Sequence, residues 1–416
     1  MANLSSLNSS KVAAIAKGDR SAILNLLGEV FPSWLSIDES QISVEPLTGG
    51  YSGAALFKIY QRNSDIAPVP LRVPGDKTSD PATQIFFETS DPWIPAAAQR
   101  AWSSSYRHAT LLFQDDEQSP NVWITEYIAG QVGDAGLMNG EGSLIFSHVL
   151  GEAVGELHCW DNNWFEKGLG VGEREMAVRS IDSDELKKHI LEWGDYSRLG
   201  KCFIDILVTE LKTEGNIEEV AQICRDIFDL LEPNSLMGRL VVGHGDLKYD
   251  NTMIRSSSTY AHPELVLIDY DRVMRLPAAA DLGCYLHDPE PKSKKYPPLS
   301  NRRALAEGYL SVCVASGLDV TQFSDHEVDD IVLAMETGLL IRSLWLSTIM
   351  ATVFPRYRWV VPILREGIAR AAKLIAQAKY DESLREKVLM RGSSSLVGKG
   401  FVLPLLLKTI LKSFVF

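Results

Sequence analysis

The sequence VVGHGDLKYDNTMIRSSSTYAHPELVLIDYDRVMRLPAAADLGCYL, residues 241–286, contains two polar clusters, and each cluster follows a short apolar run. The first cluster, HGDLKYDN, follows VVG, and the second, DYD, follows LVLI. Short apolar runs bounded by polar residues are typical of buried strands. The two clusters are therefore expected at strand ends, where they would meet at one edge of a cleft.

These clusters contain the residue types that phosphoryl transfer requires. A carboxylate must accept the proton of the attacking hydroxyl, and oxygen ligands must hold Mg²⁺. The eight residues HGDLKYDN also fit the kinase catalytic-loop pattern H-x-D-L-x-x-x-N. Asp246 is therefore predicted to act on the acceptor hydroxyl, and Asn251 and Asp269 are predicted to bind Mg²⁺.

The remaining charged residues of the stretch are given supporting roles. Asp271 is predicted to be a further carboxylate at the metal, and Lys248 is predicted to offset the charge of the transferring phosphate. Asp281 is expected to begin a helix and to hydrogen-bond the catalytic loop from behind, and His244 is expected to hold that loop. The alternative is a pair of ordinary Asp-rich turns. The order of the motifs along the chain favours the catalytic interpretation.

Upstream, a glycine-rich segment between two strand-like segments predicts a nucleotide-binding loop. Residues 42–44 alternate like a strand, LTGGYSGA follows shortly after, and apolar residues resume in ALFKIY. Backbone N–H groups near Gly50, Ser52 and Gly53 would approach the phosphates of ATP, because glycines allow close contact with the anion. A plain hairpin turn is the alternative interpretation.

The next segments predict a cation for the phosphates and a hinge for the adenine. Arg72, in the strand-like VPLRVP, would contact the α- and β-phosphates, with Glu88 as its acidic partner. A solvent-exposed Glu88 near a turn is the alternative. WITEYIAG, residues 123–130, is predicted to be a strand that breaks at Gly130. Backbone groups at Glu126 and Ile128 would bind the adenine edge there.

A helix is predicted over residues 146–160 from its apolar spacing. His158 lies near its end and has no partner that the sequence reveals. It is interpreted as a packed structural histidine rather than a ligand or a catalytic base.

Composition restricts the class of protein. The chain has 416 residues, is 45% hydrophobic and carries a formal net charge of −13, so nonspecific nucleic-acid binding is not expected. The 5 cysteines are scattered and form no CxxC pair, so neither structural disulfides nor a zinc site is predicted. The N-terminal residues lack the apolar core of a secretory signal, and no apolar run is long enough for a membrane span. We expect a cytoplasmic enzyme.

Taken together, the motifs HGDLKYDN, LIDYD and ITEYIAG resemble those of the aminoglycoside phosphotransferase and choline/ethanolamine kinase superfamily. The resemblance implies an α+β, bilobed, protein-kinase-like fold. It implies a small N-terminal lobe with an antiparallel sheet and a large, mostly helical C-terminal lobe. The expected boundaries are a nucleotide-binding lobe over 1–125, a hinge over 126–130, a catalytic and substrate lobe over 131–390, and a tail over 391–416.

The resemblance also implies an activity and its cofactors. A member of this superfamily would use ATP and Mg²⁺ to phosphorylate a hydroxyl of a small molecule. LTGGYSGA and PLRVPGD are similar to the choline/ethanolamine kinase branch, which favours an amino alcohol or a related small metabolite as acceptor. IDYDRVMRLPAAADLGCYLHD and the aromatic residues after Ser343 also resemble that branch, and this resemblance implies Asp288, Trp345, Tyr357 and Trp359 as substrate residues.

One residue departs from that branch. Arg342 stands where the branch carries an aromatic residue of the ammonium-binding box. An inward Arg342 would suit an acceptor with a carboxylate, sulfonate or phosphate group, whereas an outward Arg342 would leave the box aromatic.

Two other functions stay open at this stage. An aminoglycoside-type antibiotic phosphotransferase is one, since Gly245 follows His244 as in that branch. A pseudokinase-like binding module is the other. A protein kinase is disfavoured, because the metal-binding segment is IDYD rather than DFG and no APE sequence follows it. The oligomeric state is expected to be a monomer or a homodimer.

The last residues, RGSSSLVGKGFVLPLLLKTILKSFVF, combine a Gly/Ser linker with an apolar segment that contains Lys399, Lys408 and Lys412. Docking of this tail on its own lobe or on a second subunit is expected. Peripheral contact with a membrane is the alternative.

Overall fold

The structure is a computed structural model, and it describes the following parts of the chain: residues 7–47, 55–62, 67–73, 93–102, 105, 107–115, 122–133, 142–160, 226–227, 229–232, 235–256, 263–270, 273–286, 297–353 and 361–390. Within these ranges, only the backbone is described at residues 93–96, 274–275, 342–353, 361–365 and 367. The chain divides into two compact units. The first comprises Met1–Ala129 with Val266–Asp271, and the second comprises Gly130–Leu265 with Arg272–Phe416.

The first unit contains both helices and strands. Its described helices are α1 (Ser9–Ala16), α2 (Arg20–Val30) and α3 (Trp93–Trp102). Its strands are β1 (Ile42–Pro46), β2 (Ala55–Gln61), β3 (Val69–Val73), β4 (Leu111–Gln114) and β5 (Trp123–Thr125). The strands form one antiparallel sheet in the order β1-β2-β3-β5-β4. The strands predicted near residues 42, 55 and 69 are confirmed.

Helix α2 shows how this unit is built from its sequence. Asp19 caps the helix by accepting a hydrogen bond from the backbone N–H of Ala22 at 3.1 Å, which satisfies one of the free donors of the first turn. The apolar face of the helix then enters a core that also contains residues of the sheet. Leu27 of the helix and Ile59 and Leu71 of the sheet are fully buried in this core. The sheet is thus covered on one face by apolar packing.

Residues Val266–Asp271 belong to the first unit, although the sequence led us to expect them with residues 131–390. The backbone N–H of Leu267 donates to the carbonyl of Arg107 at 2.9 Å. The Tyr270 ring packs against Trp102, with the ring centroids 5.2 Å apart, and against His108 at 5.6 Å. These partners lie far away in sequence, so the pattern of residues 266–271 could not reveal them.

The second unit is largely helical. Its described strands are β6 (Gly130–Val132), β7 (Leu240–Gly243), β8 (Thr252–Arg255) and β10 (Met274–Pro277), and β9 (Leu265–Leu267) begins in it at Leu265. Its helices are α4 (Ser143–Cys159), α5 (Ala278–Cys284), α6 (Leu299–Ala315), α7 (Val328–Val353), α8 (Val361–Ala378) and α9 (Glu382–Leu389). The antiparallel sheet of the N-terminal part and this helical remainder confirm the predicted α+β fold class.

Two small sheets position the loop described below. Strand β7 pairs antiparallel with β10, and β6 pairs antiparallel with β8. None of the helices in the described ranges is long and apolar enough to cross a membrane. The predicted tail over 391–416 lies outside these ranges.

Helices α4 and α6 pack against each other in a constant register. Four pairs of residues face each other along successive turns: Ser147 with Asn301, Gly151 with Leu305, Gly155 with Tyr309, and Cys159 with Cys313. Residues four apart lie on the same face of a helix. Because both series rise together, the two helices run parallel along this face.

Glycines allow the two backbones to approach closely. A Cβ atom at Gly151 would lie 2.0 Å from the carbonyl oxygen of Leu305, and one at Gly308 would lie 2.0 Å from that of His148. Real Cβ atoms do not approach carbonyl oxygens so closely, so a side chain at either position would push the helices apart. The residues that follow along the same faces therefore depend on these glycines for their spacing.

We expect Gly308→Ala to destabilise the second unit, although alanine favours a helix over glycine by up to about 1 kcal/mol. The new methyl group would meet the backbone of His148, and overpacking of this kind costs about 1–3 kcal/mol. Because no flexible side chain can yield, we expect the cost to exceed the gain and the midpoint of urea unfolding to fall.

Glu307→Ala is the matched control, because Glu307 is exposed on the same helix. Its effect should stay within about 0.5 kcal/mol. Equal midpoints for the two variants would contradict the close packing of α4 and α6.

Candidate active site

The loop that follows β7 is held by the carboxylate of Asp281. The backbone N–H of His244 donates to Asp281 Oδ2 at 2.8 Å, and that of Gly245 donates to Oδ1 at 2.9 Å. Gly245 adopts φ +74°, a left-handed conformation that glycine takes without strain. Asp281 therefore hydrogen-bonds the loop from behind, as predicted. The helix that carries it begins three residues earlier than expected, at Ala278.

Asp281 is a buried charge with its hydrogen bonds satisfied. Its third partner is His158, whose Nε2 lies 3.0 Å from Oδ2, and both side chains are fully buried. Burial raises the pKa of the Asp281 carboxyl, but the hydrogen bond and charge of His158, with those of His244, outweigh it. The pKa consequently lies below its ordinary value. A buried carboxylate is tolerated only with such partners.

His158 is packed in the interior, as the sequence analysis predicted, and it also connects Asp281 to further polar groups. Its Nδ1 lies 3.1 Å from the hydroxyl of Tyr309. Arg239 Nη2 donates to the same hydroxyl at 3.0 Å. A chain of polar contacts thus runs from Arg239 through Tyr309 and His158 to Asp281 and the loop. Local sequence patterns could not reveal it, because its members lie on different elements.

Three predicted site residues come together in the loop itself. Lys248 Nζ lies 3.2 Å from Asp246 Oδ2, and Asn251 Nδ2 donates to the same oxygen at 3.1 Å. Asn251 Nδ2 also donates to the backbone carbonyl of Asp246 at 2.8 Å. The Asp246 carboxylate is therefore fixed in orientation by two side chains. Since the amide nitrogen of Asn251 is used in this way, its oxygen is the atom that could meet a cation.

Asp250 belongs to the same cluster but was not among the predicted residues. Its Oδ2 lies 3.6 Å from Lys248 Nζ, so that Lys248 contacts two carboxylates. Burial raises the pKa of the Asp250 carboxyl, the Lys248 charge lowers it, and the charge of Asp246 raises it. The pKa remains above its ordinary value. The alternation D-x-K-x-D in the sequence was the signal that could have identified this contact.

Two other predicted residues meet in the first unit. Arg72 Nη1 lies 3.9 Å from Asp269 Oδ1, and the guanidinium lies 5.4 Å from the centre of the Trp123 ring. Asp269 has φ +66°, an uncommon conformation for a residue other than glycine. Such residues are often found at functional sites. The sequence assigned these two side chains to phosphate and metal separately and did not reveal their contact.

The strand predicted over residues 123–130 is shorter than expected. Strand β5 ends at Thr125 rather than at Gly130. Gly130 is instead the first residue of β6, where it pairs with Arg255 in another sheet. The backbone N–H of Glu126 donates to the carbonyl of Thr110 at 2.8 Å. The side chain of Ile128 is buried.

The remaining predicted residues lie where the structure describes the backbone alone or does not describe the chain. Arg342 and Trp345 lie in α7, where only the backbone is described. The other predicted residues lie outside the described parts of the chain: Gly50, Ser52, Gly53, Glu88, Asp271, Asp288, Tyr357 and Trp359. Their roles stay predictions.

Solved structures of two kinases resemble this chain in fold. A choline kinase from Cryptosporidium parvum Iowa II has a TM-score of 0.53 at 17% identity, covering 90% of this chain and 99% of its own. An ethanolamine kinase from Plasmodium vivax has a TM-score of 0.51 at 13% identity, covering 89% and 90%. The chain shares its fold with these kinases. The kinase-like fold predicted from the motifs is therefore confirmed. No protein-family model and no curated protein matches the sequence.

We expect Asp281→Asn to destabilise the protein by about 2–4 kcal/mol at pH 7, because an amide cannot accept the same hydrogen bonds. The folded-state pKa of Asp281 is lowered, so its stabilising contribution is present above the ordinary pKa of about 3.9 and is lost as pH falls through the folded-state value. The difference between variant and wild type should therefore narrow below about pH 4, as measured by urea unfolding.

Asp19→Asn is the matched control, since asparagine caps a helix as well as aspartate does and the cost should stay within about 0.5 kcal/mol. A difference that grows as the pH falls would show that Asp281 does not act as a buried carboxylate.

Proposed function

We propose that this protein is an ATP- and Mg²⁺-dependent kinase that transfers the γ-phosphate to a hydroxyl of a small molecule. The arrangement around Asp246 carries the proposal. A carboxylate held by Asn251 and Lys248, in a loop that Asp281 holds, fits the group that orients an acceptor hydroxyl and accepts its proton. The shared fold with a choline kinase and an ethanolamine kinase supports the same class of reaction.

Each charged residue of the loop has a separate role in this proposal. Asp246 accepts a hydrogen bond from the acceptor hydroxyl and takes its proton as the oxygen attacks the γ-phosphate. Lys248, 3.2 Å from Asp246, offsets negative charge as the phosphoryl group moves. Asp250 shares Lys248 and so limits where its ammonium group can lie.

Asn251 and Asp269 are the proposed ligands of Mg²⁺, with Asp271 as a further carboxylate. The donor set fits the ion, because Mg²⁺ prefers oxygen ligands and the carboxamide oxygen of Asn251 is left for it by the hydrogen bonds of its nitrogen. Bound Mg²⁺ would neutralise charge on the phosphates of ATP. The carboxylate of Asp269 is about half exposed. The backbone of Asp269 has a left-handed φ, so it departs from the extended conformation of the preceding strand.

For ATP itself, Arg72 is the proposed cation of the phosphates, with the loop of Gly50, Ser52 and Gly53 beside them. Glu88 is proposed as a partner of Arg72. Backbone groups at Glu126 and Ile128 are proposed to bind the adenine. The contact between Arg72 and Asp269 supports the phosphate role, because a guanidinium that can pair with a carboxylate can also pair with a phosphate.

An amino alcohol or a related small metabolite is the proposed acceptor. Two kinases that share the fold are named for choline and ethanolamine, and Trp345, Tyr357 and Trp359 are aromatic residues suited to an ammonium group. Asp288 would add a carboxylate to that pocket. Arg342 is the residue that would redirect the pocket to an acceptor with an anionic group.

The experiment is an ADP-release assay with ATP, Mg²⁺ and a panel of acceptors: choline, ethanolamine, amino alcohols with an added carboxylate or phosphate, and aminoglycosides. We expect turnover with an amino alcohol and a fall in kcat of about 100-fold or more in Asp246→Asn, because general-base catalysis contributes that much. ATP affinity, measured by calorimetry, should stay nearly unchanged.

Asp250→Asn is the matched control in the same loop. Because Lys248 keeps its contact with Asp246 in that variant, kcat should change by less than about tenfold. Turnover that survives Asp246→Asn would overturn the catalytic assignment. Turnover with aminoglycosides alone would overturn the proposed acceptor, and ATP binding without turnover on any acceptor would favour a binding module.

A further inference from the structure

Two cysteines touch at the end of the parallel helix pair α4 and α6. The Sγ atoms of Cys159 and Cys313 lie 3.7 Å apart. They continue the register that the glycine contacts impose, since Gly155 with Tyr309 is the preceding pair on the same faces. A disulfide requires an S–S distance of about 2.05 Å, so the sulfurs need to approach by less than about 2 Å. Cys159 is the last residue of its helix, where such a movement disturbs few backbone hydrogen bonds.

The guanidinium of Arg239 lies beside both cysteines. Arg239 Nη2 lies 3.6 Å from Cys313 Sγ and 3.9 Å from Cys159 Sγ. Hydrogen bonding with Cys313, together with the charge and hydrogen bond of Arg239 and the charge of His158, outweighs burial and lowers the pKa of the Cys159 thiol to about 6. The hydrogen bond with Cys159, followed by burial, raises the pKa of the Cys313 thiol. Cys159 is partly exposed and Cys313 is buried, so a small oxidant would reach Cys159 first.

We propose that Cys159 and Cys313 form a redox-active dithiol, which a peroxide converts to an intramolecular disulfide. The proposal does not depend on the proposed kinase activity. It also differs from the sequence analysis, which predicted no structural disulfide, because the scattered positions of the cysteines hide the contact.

The reaction balances with hydrogen peroxide as the oxidant. The Cys159 thiolate attacks one peroxide oxygen, the O–O bond breaks, and the sulfur becomes a sulfenic acid while hydroxide leaves and takes a proton to form water. The Cys313 sulfur then attacks the Cys159 sulfur, the S–O bond breaks, and the thiol proton leaves with the hydroxyl as a second water. Two thiols are oxidised and one peroxide is reduced. Arg239 is placed to stabilise the thiolate in the first step.

Cys284 provides an internal comparison. It is buried in α5, and its thiol donates to the carbonyl of Ala280 at 3.3 Å. Burial shields this thiol from oxidants. Cys202 and Cys224 lie outside the described residues, so the experiment has to distinguish them by peptide mapping.

The test treats the full reduced chain with a small excess of hydrogen peroxide, blocks remaining thiols with N-ethylmaleimide and maps peptides by mass spectrometry. We expect a Cys159–Cys313 cross-link as the main product, reversed by dithiothreitol, with Cys284 still alkylated. In Cys313→Ser the cross-link should disappear and dimedone should trap a sulfenic acid on Cys159. Cys284→Ser should leave the cross-link unchanged.

Several outcomes would overturn the proposal. They are oxidation of Cys159 no faster than that of Cys284, a cross-link of Cys159 to Cys202 or Cys224 as the main product, or sulfinic acid at Cys159 in the wild-type chain. The wild-type mapping needs no variant, so a folding defect in Cys313→Ser would not leave the proposal untested.

Discussion

The carboxylate of Asp281 is the constraint on which the candidate site depends. It is fully buried, and its two oxygens accept hydrogen bonds from the backbone N–H groups of His244 and Gly245 and from the ring of His158. Without this carboxylate the two backbone N–H groups would lose their acceptor. Each loss would lower the free energy of unfolding by about as much as the loss of a buried hydrogen bond. The loop conformation that places Asp246 therefore follows from a charge located behind it.

This anchor depends in turn on helix packing. His158 reaches Asp281 from α4, and its other ring nitrogen meets Tyr309 on α6. The distance between those helices is set by Gly151 and Gly308, where no side chain can be added without a backbone clash. A packing feature that has no chemistry of its own thus supports a residue that holds the loop, and the same register brings two cysteines into contact at its end.

Local sequence patterns predicted much of this arrangement. Apolar patterns located β1, β2, β3 and β5 but not β4, and helical apolar spacing located the helix around His158. The spacing of HGDLKYDN brought Asp246 and Asn251 into one loop. The contacts between distant segments could not be predicted in this way. Asp281 and His158 are separated by 123 residues, and Arg72 meets Asp269 across a similarly long separation. Long-range pairs depend on packing, which periodicity does not encode.

Hydrogen–deuterium exchange at the backbone amides of His244 and Gly245 measures how firmly Asp281 holds the loop, because these two amides donate to its carboxylate. The experiment follows exchange by mass spectrometry with fragmentation that resolves single amides, in the wild-type chain and in Asp281→Asn. We expect slow exchange in the wild type and fast exchange in the variant, while the amides of β7 that are hydrogen-bonded to β10 stay protected in both. Exchange of His244 and Gly245 at the rate of an exposed loop in the wild type would contradict this expectation.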